Sequence, residues 1–409
     1  MNIMLINHYA GSPKLGMEYR PYYMAKIWSD MGHIVTIIAA SQSHVRSVQP
    51  EISNKITNQE IDGIVYYWVK TPEYKGNSFG RIQNMFIFVW TLFFKARFFV
   101  RQLKPDIVIA SSTYPIDIFP AQRIAKIAKA KLIYEVHDLW PLSPIELGGY
   151  SKWHPFIVLM QYAENYAYKK VDVVVSMLPC SKEHMLSHGL KENKFHHIPN
   201  GINLDEWRES NEKPPEKYTE LIENLKNSGK TIIGYAGAHG IANSLSTLIE
   251  AAYLLKDMNI AIVLVGHGPE KINLQQQAAK LSLENVFFSP AVPKNCMKIV
   301  LEGWDLAFLG LQNQSLFRFG ISPNKLMDYM LARKPIICAI NSGNDPVTDA
   351  MCGITVEPEN PSAIVSAIKK LVALSPEMLL QMGENGYNYV LKHHDYDMLA
   401  KEFAAILEN

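Results

Sequence analysis

The sequence predicts an α/β protein of two consecutive Rossmann-like domains, each a doubly wound parallel sheet with helices on both faces. Three observations lead there. Short apolar runs of strand length alternate with longer segments of helical periodicity, the pattern of βαβ units. The alternation runs through the chain twice, broken by the turn-forming stretches Pro199-Asn200-Gly201 and Pro214-Pro215. The length, 409 residues, is too great for one ordinary domain and suits two, each with its own core. The predicted division is 1–198, 199–385 and a C-terminal helix within 386–409 that packs back toward the first domain.

Composition narrows the function. The chain is 48% hydrophobic and 19% charged with a formal net charge of +1, a soluble globular profile without the basic footprint of a nucleic-acid binder. Cys180, Cys296, Cys338 and Cys352 are widely separated with no CxxC pair, which predicts core thiols in a reducing compartment rather than a disulfide framework or zinc site. The chain opens on a strand-like run, Asn2-Ile3-Met4-Leu5-Ile6, without a secretory leader pattern, and is predicted to be cytoplasmic.

In chain order, a strand over 2–7 leads through a loop holding Gly11, Pro13 and Gly16 to a helix over about 18–31. A strand, glycine loop and helix in that order aim the helix N-terminus at a ligand, so Gly16, Glu18 and Arg20 are candidate binding residues. Strands follow at 33–39 and 64–69, and the polar stretch between them reads as an exposed loop. The segment 79–103 reads as one long helix with Phe86, Phe88, Trp90, Phe93, Phe94, Phe98 and Phe99 among Arg81, Lys95, Arg97, Arg101 and Lys104. It admits two readings: contact with an anionic membrane face through residues 79–104, or burial against the sheet with the basic groups reaching outward. Strands at 106–110, 131–136 and 171–176 then alternate with helices. His137 and Asp138 follow the second of these strands, at the strand end where such folds bind ligands. Asp138 can orient His137, bind sugar hydroxyls or cap the next helix.

The second series has strands at 230–235, 261–265, 286–288, 305–309 and 336–340. Pro214-Pro215, with its Glu and Lys neighbours, reads as surface loop. Gly237 and His239 follow the first strand and Gly266 and Gly268 the second, where glycines let backbone approach a phosphate. Ser322-Pro323-Asn324 reads as a helix start with Ser322 as cap and Pro323 at the first helical position. Its open N–H groups, Ser322, Asn324 and the Lys325 ammonium make a diphosphate site, and Asp328, one turn on, can accept ribose hydroxyls.

These markers, in this order, resemble glycosyltransferase family 4: the loop at Gly16, His137-Asp138, Ile198-Pro199-Asn200-Gly201-Ile202, Gly234-Tyr235-Ala236-Gly237, Val265-Gly266-His267-Gly268 and the helix with Asp328. The resemblance covers essentially the whole chain. It implies a GT-B architecture, two domains facing across a cleft, the acceptor held by the first and the nucleotide by the second. It also implies that His137 contacts the donor sugar near the reacting carbon. Two departures stand out. Gly320 occupies the position of the family's first acid, which touches donor-sugar hydroxyls, and the Arg and Lys usual after the first strand of the second domain are missing before Lys256. Lys325 is the replacement for that charge.

The expected function is retaining, metal-independent sugar transfer without a cofactor. The donor is a nucleotide sugar, expected to be UDP-linked and N-acetylated or deoxy. The acceptor is a lipid-linked saccharide, as in the O-antigen and capsule enzymes that the SPNK…DYM stretch resembles. No carboxylate motif and no paired histidines are assigned to a metal. A nucleotide-sugar epimerase of the same fold and a non-catalytic nucleotide-sugar-binding protein are the alternatives.

Overall fold

The computed structural model describes residues 1–74, 76 and 79–408, so only the last residue of the predicted 386–409 segment lies outside the described residues. The chain divides into two compact units, Met1–Asn200 with Tyr396–Asn409, and Gly201–Asp395.

The first unit contains strands β1 (Asn2–Ile6), β2 (Ile34–Ala40), β3 (Ile56–Ile61), β4 (Ile64–Val69), β5 (Ile107–Ala110), β6 (Lys131–Val136), β7 (Val173–Ser176) and β8 (Phe195–His197). They form one sheet in the order β3-β4-β2-β1-β5-β6-β7-β8. Every pairing is parallel except β3 on β4. β3 lies in the polar stretch expected to be loop. It forms because an edge strand needs few apolar residues, and its exposed Asn58, Gln59 and Glu60 suit a solvated edge. The chain departs from β1 toward β2 on one side, and β5 takes the other, so the strand order reverses between β1 and β5. Ligands bind beyond the strand ends at such a reversal.

One face of this sheet is covered by the Arg20–Asp30 helix and the Tyr396–Glu408 helix. Tyr396, Leu399, Ala400, Phe403, Ala404 and Leu407 recur at helical spacing and all enter the core. Trp28 donates its indole N–H to the Ala400 carbonyl at 2.8 Å and meets the Phe403 ring edge-on. The returning segment therefore starts at Tyr396 and not at 386. The Pro376–His393 helix stays with the second unit, where Val390 is buried and Gly383 and Gly386 lie against Arg333 and Met330.

The aromatic segment is two helices, Phe79–Phe94 and Ala96–Leu103, and not one, because Lys95 leaves helical geometry. Met85, Phe88, Leu92 and Phe99 are buried, whereas Trp90 and Phe94 are 63% and 73% exposed. The burial and surface readings each describe one face. Among the described residues no helix is long and apolar enough to cross a membrane.

The second unit contains β9 (Thr231–Ala236), β10 (Ile260–Val265), β11 (Val286–Ser289), β12 (Leu306–Gly310), β13 (Ile336–Ala339) and β14 (Gly353–Val356). The all-parallel order is β11-β10-β9-β12-β13-β14, reversing between β9 and β12. Successive strand residues feed opposite apolar layers: Ile232 and Ala236 enter one, Ile233 and Tyr235 the other. Pro214-Pro215 lies in loop, and the Glu216–Asn227 helix that follows, which no expectation covered, forms because Tyr218, Ile222 and Leu225 make one apolar stripe on it.

Candidate functional site

At the reversal in the first unit, Asn7 follows β1, Ser111 follows β5, and Glu135 and His137 lie at the end of β6. Asn7 Nδ2 donates to the Ser111 carbonyl at 2.6 Å. Ser111 Oγ donates to Glu135 Oε2 at 2.6 Å and lies 2.9 Å from His137 Nε2, which is also 3.3 Å from Glu135 Oε2. Because the serine proton is committed to the carboxylate, Nε2 of His137 carries its own proton and donates it. The Nδ1 lone pair is thereby left as the basic side of the ring, a tautomer assigned from this hydrogen-bond network.

Glu135 is held from the other side by Arg20, whose Nε lies 2.9 Å from Oε1. Burial by itself would raise the Glu135 pKa. The Arg20 charge, with hydrogen bonds from His137 and Ser111, outweighs it and holds the carboxyl well below the usual carboxylate range. Arg20 also donates from Nη1 to the Pro199 carbonyl and from Nη2 to the Ile198 carbonyl. It is therefore an internal brace for Glu135 and not a group presented to a ligand.

Gly16 and Glu18 also depart from the expected arrangement. The helix starts at Arg20, so both precede it. Their backbone N–H groups are taken, Gly16 donating to Ser12 and Glu18 to Tyr9. Gly16 has φ +100°, and a Cβ there would come 2.7 Å from Ser47 Oγ, so the glycine serves the loop's own packing. Asp138 accepts from the Leu139 N–H at 2.9 Å and from Ser143 Oγ at 2.6 Å, so among its three readings it holds the following turn, while Glu135 meets His137. Burial raises the Asp138 pKa.

Sequence reasoning passed over Glu135, although a lone carboxylate inside the apolar run Lys131–Val136 is a signal, since a buried charge needs a partner. It also passed over Asp117. That residue is fully buried, accepts from the Ser112 N–H at 3.0 Å, and has a second oxygen without a partner. Burial pushes its carboxyl up to about 7.

In the second unit the loops after β9 and β10 are zipped together: Gly237 N–H donates to Val265 and His239 N–H to His267. A Cβ on Gly266 would fall 2.0 Å from the Gly237 carbonyl oxygen, and one on Gly268 2.5 Å from that of His239. These glycines permit loop-on-loop contact, and the N–H groups of Gly237 and His239 are not free to hold a phosphate. His239 is buried with neither ring nitrogen partnered, and burial with nearby Lys271 lowers its pKa to about 4, so the ring is neutral.

Lys325 rises from the first turn of the Asn324–Leu331 helix to the ends of these strands. Its Nζ donates to Tyr235 Oη at 3.0 Å and to Asn243 Oδ1 at 2.6 Å, and lies 4.9 Å from the Tyr235 ring centre. Among the described residues no carboxylate pairs with it, and burial lowers its pKa to about 8. Three donors on a largely dehydrated ammonium, with two neutral partners, describe a site that attracts an anion.

The helix start differs from expectation. Pro323 is the N-cap with extended backbone, ψ 127°, and Ser322 does not cap. Its Oγ is buried without a partner. Asn324 is exposed. Asp328, one turn after Lys325, is half-buried with no hydrogen bond to its carboxylate among the described residues, and burial raises it to about 7. Asn243 and Tyr235, which position Lys325, carried no sequence signal of their own.

Comparison with known proteins follows the same division. Residues 16–206 match the model of Glycosyltransferase Family 4, and residues 217–389 match that of Glycosyl transferases group 1. A glycosyltransferase of Methanocaldococcus jannaschii is 26% identical over 58% of this chain, which spans only 56% of that relative. Escherichia coli WcaI, a glycosyl transferase named for colanic acid biosynthesis, is 23% identical over 67% of this chain and 68% of its own. The crystal structure of Anabaena HepE with UDP and glucose superposes with a TM-score of 0.66 at 16% identity, covering all of both chains. With both units matched in order by glycosyltransferase models and the fold shared along the full length, the protein belongs to the glycosyltransferases of GT-B type.

Proposed function

We propose that the protein transfers a sugar, with retention, from a nucleotide diphosphate donor to a saccharide acceptor. The observation that carries this reading is the Lys325 ammonium, dehydrated and without a carboxylate, one helical turn from the unpartnered Asp328. A diphosphate on Lys325 and a ribose on Asp328 satisfy both groups at once. The HepE structure holds UDP and glucose, which favours a uridine donor. An N-acetylated or deoxy hexose is the sugar we favour, because Gly320 leaves out the family's sugar-binding acid.

In the transfer, the bond between the anomeric carbon and the diphosphate oxygen breaks and the acceptor oxygen bonds to that carbon from the same face. The acceptor proton passes to the departing phosphate oxygen, so no carboxylate nucleophile and no metal is required. Lys325 stabilises the charge that builds on the diphosphate. His137, with its tautomer set by Ser111 and Glu135, is assigned to the sugar at the reacting carbon.

The acceptor is proposed to be lipid-linked and the protein to work at the cytoplasmic membrane face. Trp90, Phe94 and Phe98 are exposed beside exposed Lys95, Arg97 and Arg101, a combination suited to an anionic lipid surface. The name of WcaI favours polysaccharide assembly.

A thermal-shift panel of UDP, GDP, dTDP, CMP and NAD, each with and without EDTA, tests the reading. Stabilisation by one nucleoside diphosphate, unchanged by EDTA, is the expected outcome. Stabilisation by NAD alone would remove the proposal. Donor turnover without any acceptor would favour an epimerase.

A further inference from the structure

Away from the groups assigned to transfer, Glu164 of the Pro155–Lys170 helix is only 1% exposed. Among the described residues no Lys or Arg pairs with it. Its neighbours are Gln161, which donates to Oε2 at 2.7 Å, Tyr168, which donates to Oε1 at 3.0 Å, and His184, whose Nε2 lies 3.3 Å from Oε1. A carboxylate so enclosed is stabilised by a cation beside it.

His188 stands one turn after His184, their ring centres 4.2 Å apart. Its Nδ1 is 2.8 Å from the His184 carbonyl oxygen and therefore carries the proton, which leaves the lone pair on Nε2. A ring N–H on a backbone carbonyl is the usual outer partner of a metal-bound histidine, and Gln161 and Tyr168 fix the carboxylate in the same way. One ligand atom from each of Glu164, His184 and His188 lies within 4.8 Å of the others. With metal–ligand bonds of about 2.0–2.2 Å, the edge of a tetrahedral site is about 3.3–3.6 Å. The 3.3 Å between His184 and Glu164 already has that length, and a side-chain rotation of the half-buried His188 closes the rest.

We propose that Glu164, His184 and His188 form a site for a zinc-class divalent cation that clamps the Lys182–Ser187 helix to the Pro155–Lys170 helix. The cation takes the place of the proton between His184 and Glu164, and water completes the tetrahedron. Two imidazoles and one carboxylate select zinc or a neighbouring transition metal over calcium or magnesium. The role is structural: the six residues of Lys182–Ser187 are too few to hold a helix unaided. This site is independent of the proposed transfer and of its metal requirement.

The test is a titration of the full-length, tag-free protein with Zn²⁺ against a chromophoric chelator, together with thermal unfolding. We expect one equivalent bound, a raised Tm, and the intense visible absorption of tetrahedral Co²⁺ on substitution. His188→Gln, at a half-buried position, keeps the far-ultraviolet circular dichroism of the wild type and binds Zn²⁺ at least tenfold more weakly. His184→Ala with His188→Ala abolishes the site. Equal affinity in wild type and His188→Gln, no saturable binding in the wild type, or Ca²⁺ binding as tightly as Zn²⁺ would each overturn the assignment.

Discussion

Arg20 and Glu135, 115 positions apart, are joined by a 2.9 Å bond between Nε and Oε1, with side chains 0% and 2% exposed. The pair connects the start of the first helix to the end of β6, and Glu135 passes the constraint on to His137. Removing one partner strands the other charge in the interior. Arg20→Ala is expected to lower stability by about 3–5 kcal/mol, read from urea unfolding.

The same pair sets a pH dependence. The folded Glu135 carboxyl titrates below its unfolded value, so its stabilisation is present above about pH 4.3 and is lost as pH falls through the folded value. The stability of wild type relative to Glu135→Gln is expected to shrink progressively below about pH 4. A constant difference down to the acid limit would show that the carboxylate is not held in its charged form.

Lys325→Ala should weaken UDP binding by about 1.5–3 kcal/mol while leaving uridine nearly unaffected, because the charged hydrogen bonds go to phosphate. Calorimetry of both ligands separates the effects. Since the free Lys325 titrates near 8 and an anion favours its protonated form, UDP affinity should fall as pH rises above about 8. That slope should vanish in the variant.

Asp328→Asn has opposite consequences for binding and stability. The buried carboxyl is raised to about 7, so ionising it costs the folded state, and the variant should be the more stable protein at pH 8. Its preference for UDP over 2′-deoxy-UDP should drop, measured by competition. An unchanged preference would take Asp328 off the ribose.

The two faces of the aromatic helices can be told apart. Trp90→Ser with Phe94→Ser, both exposed, should reduce co-sedimentation with anionic vesicles and leave Tm in place. Phe88→Ala, at a fully buried position, should cost about 3–5 kcal/mol without a specific effect on vesicle binding.

Most of the parallel strands were legible in the sequence because both faces of each are covered, which writes them as continuous apolar runs such as Ile260–Val265, whereas the short, partly buried edge strands β8 and β14 were not. Lys325 and Asp328 were legible too, since three residues along a helix fix their relation whatever the surroundings. β3 was not, because an edge strand carries no apolar run, and neither was the break at Lys95.

The sequence by itself determined the order of βα units and the strand ends at which functional side chains fall, because both follow from local periodicity. Only the tertiary structure decided which side chains meet. Arg20 reads as a ligand group until Glu135 arrives from β6, and Asp138 keeps three open readings until Ser143 takes it. Charge pairing is decided by distance in space and by loss of water, and neither is written in the spacing of residues along a chain.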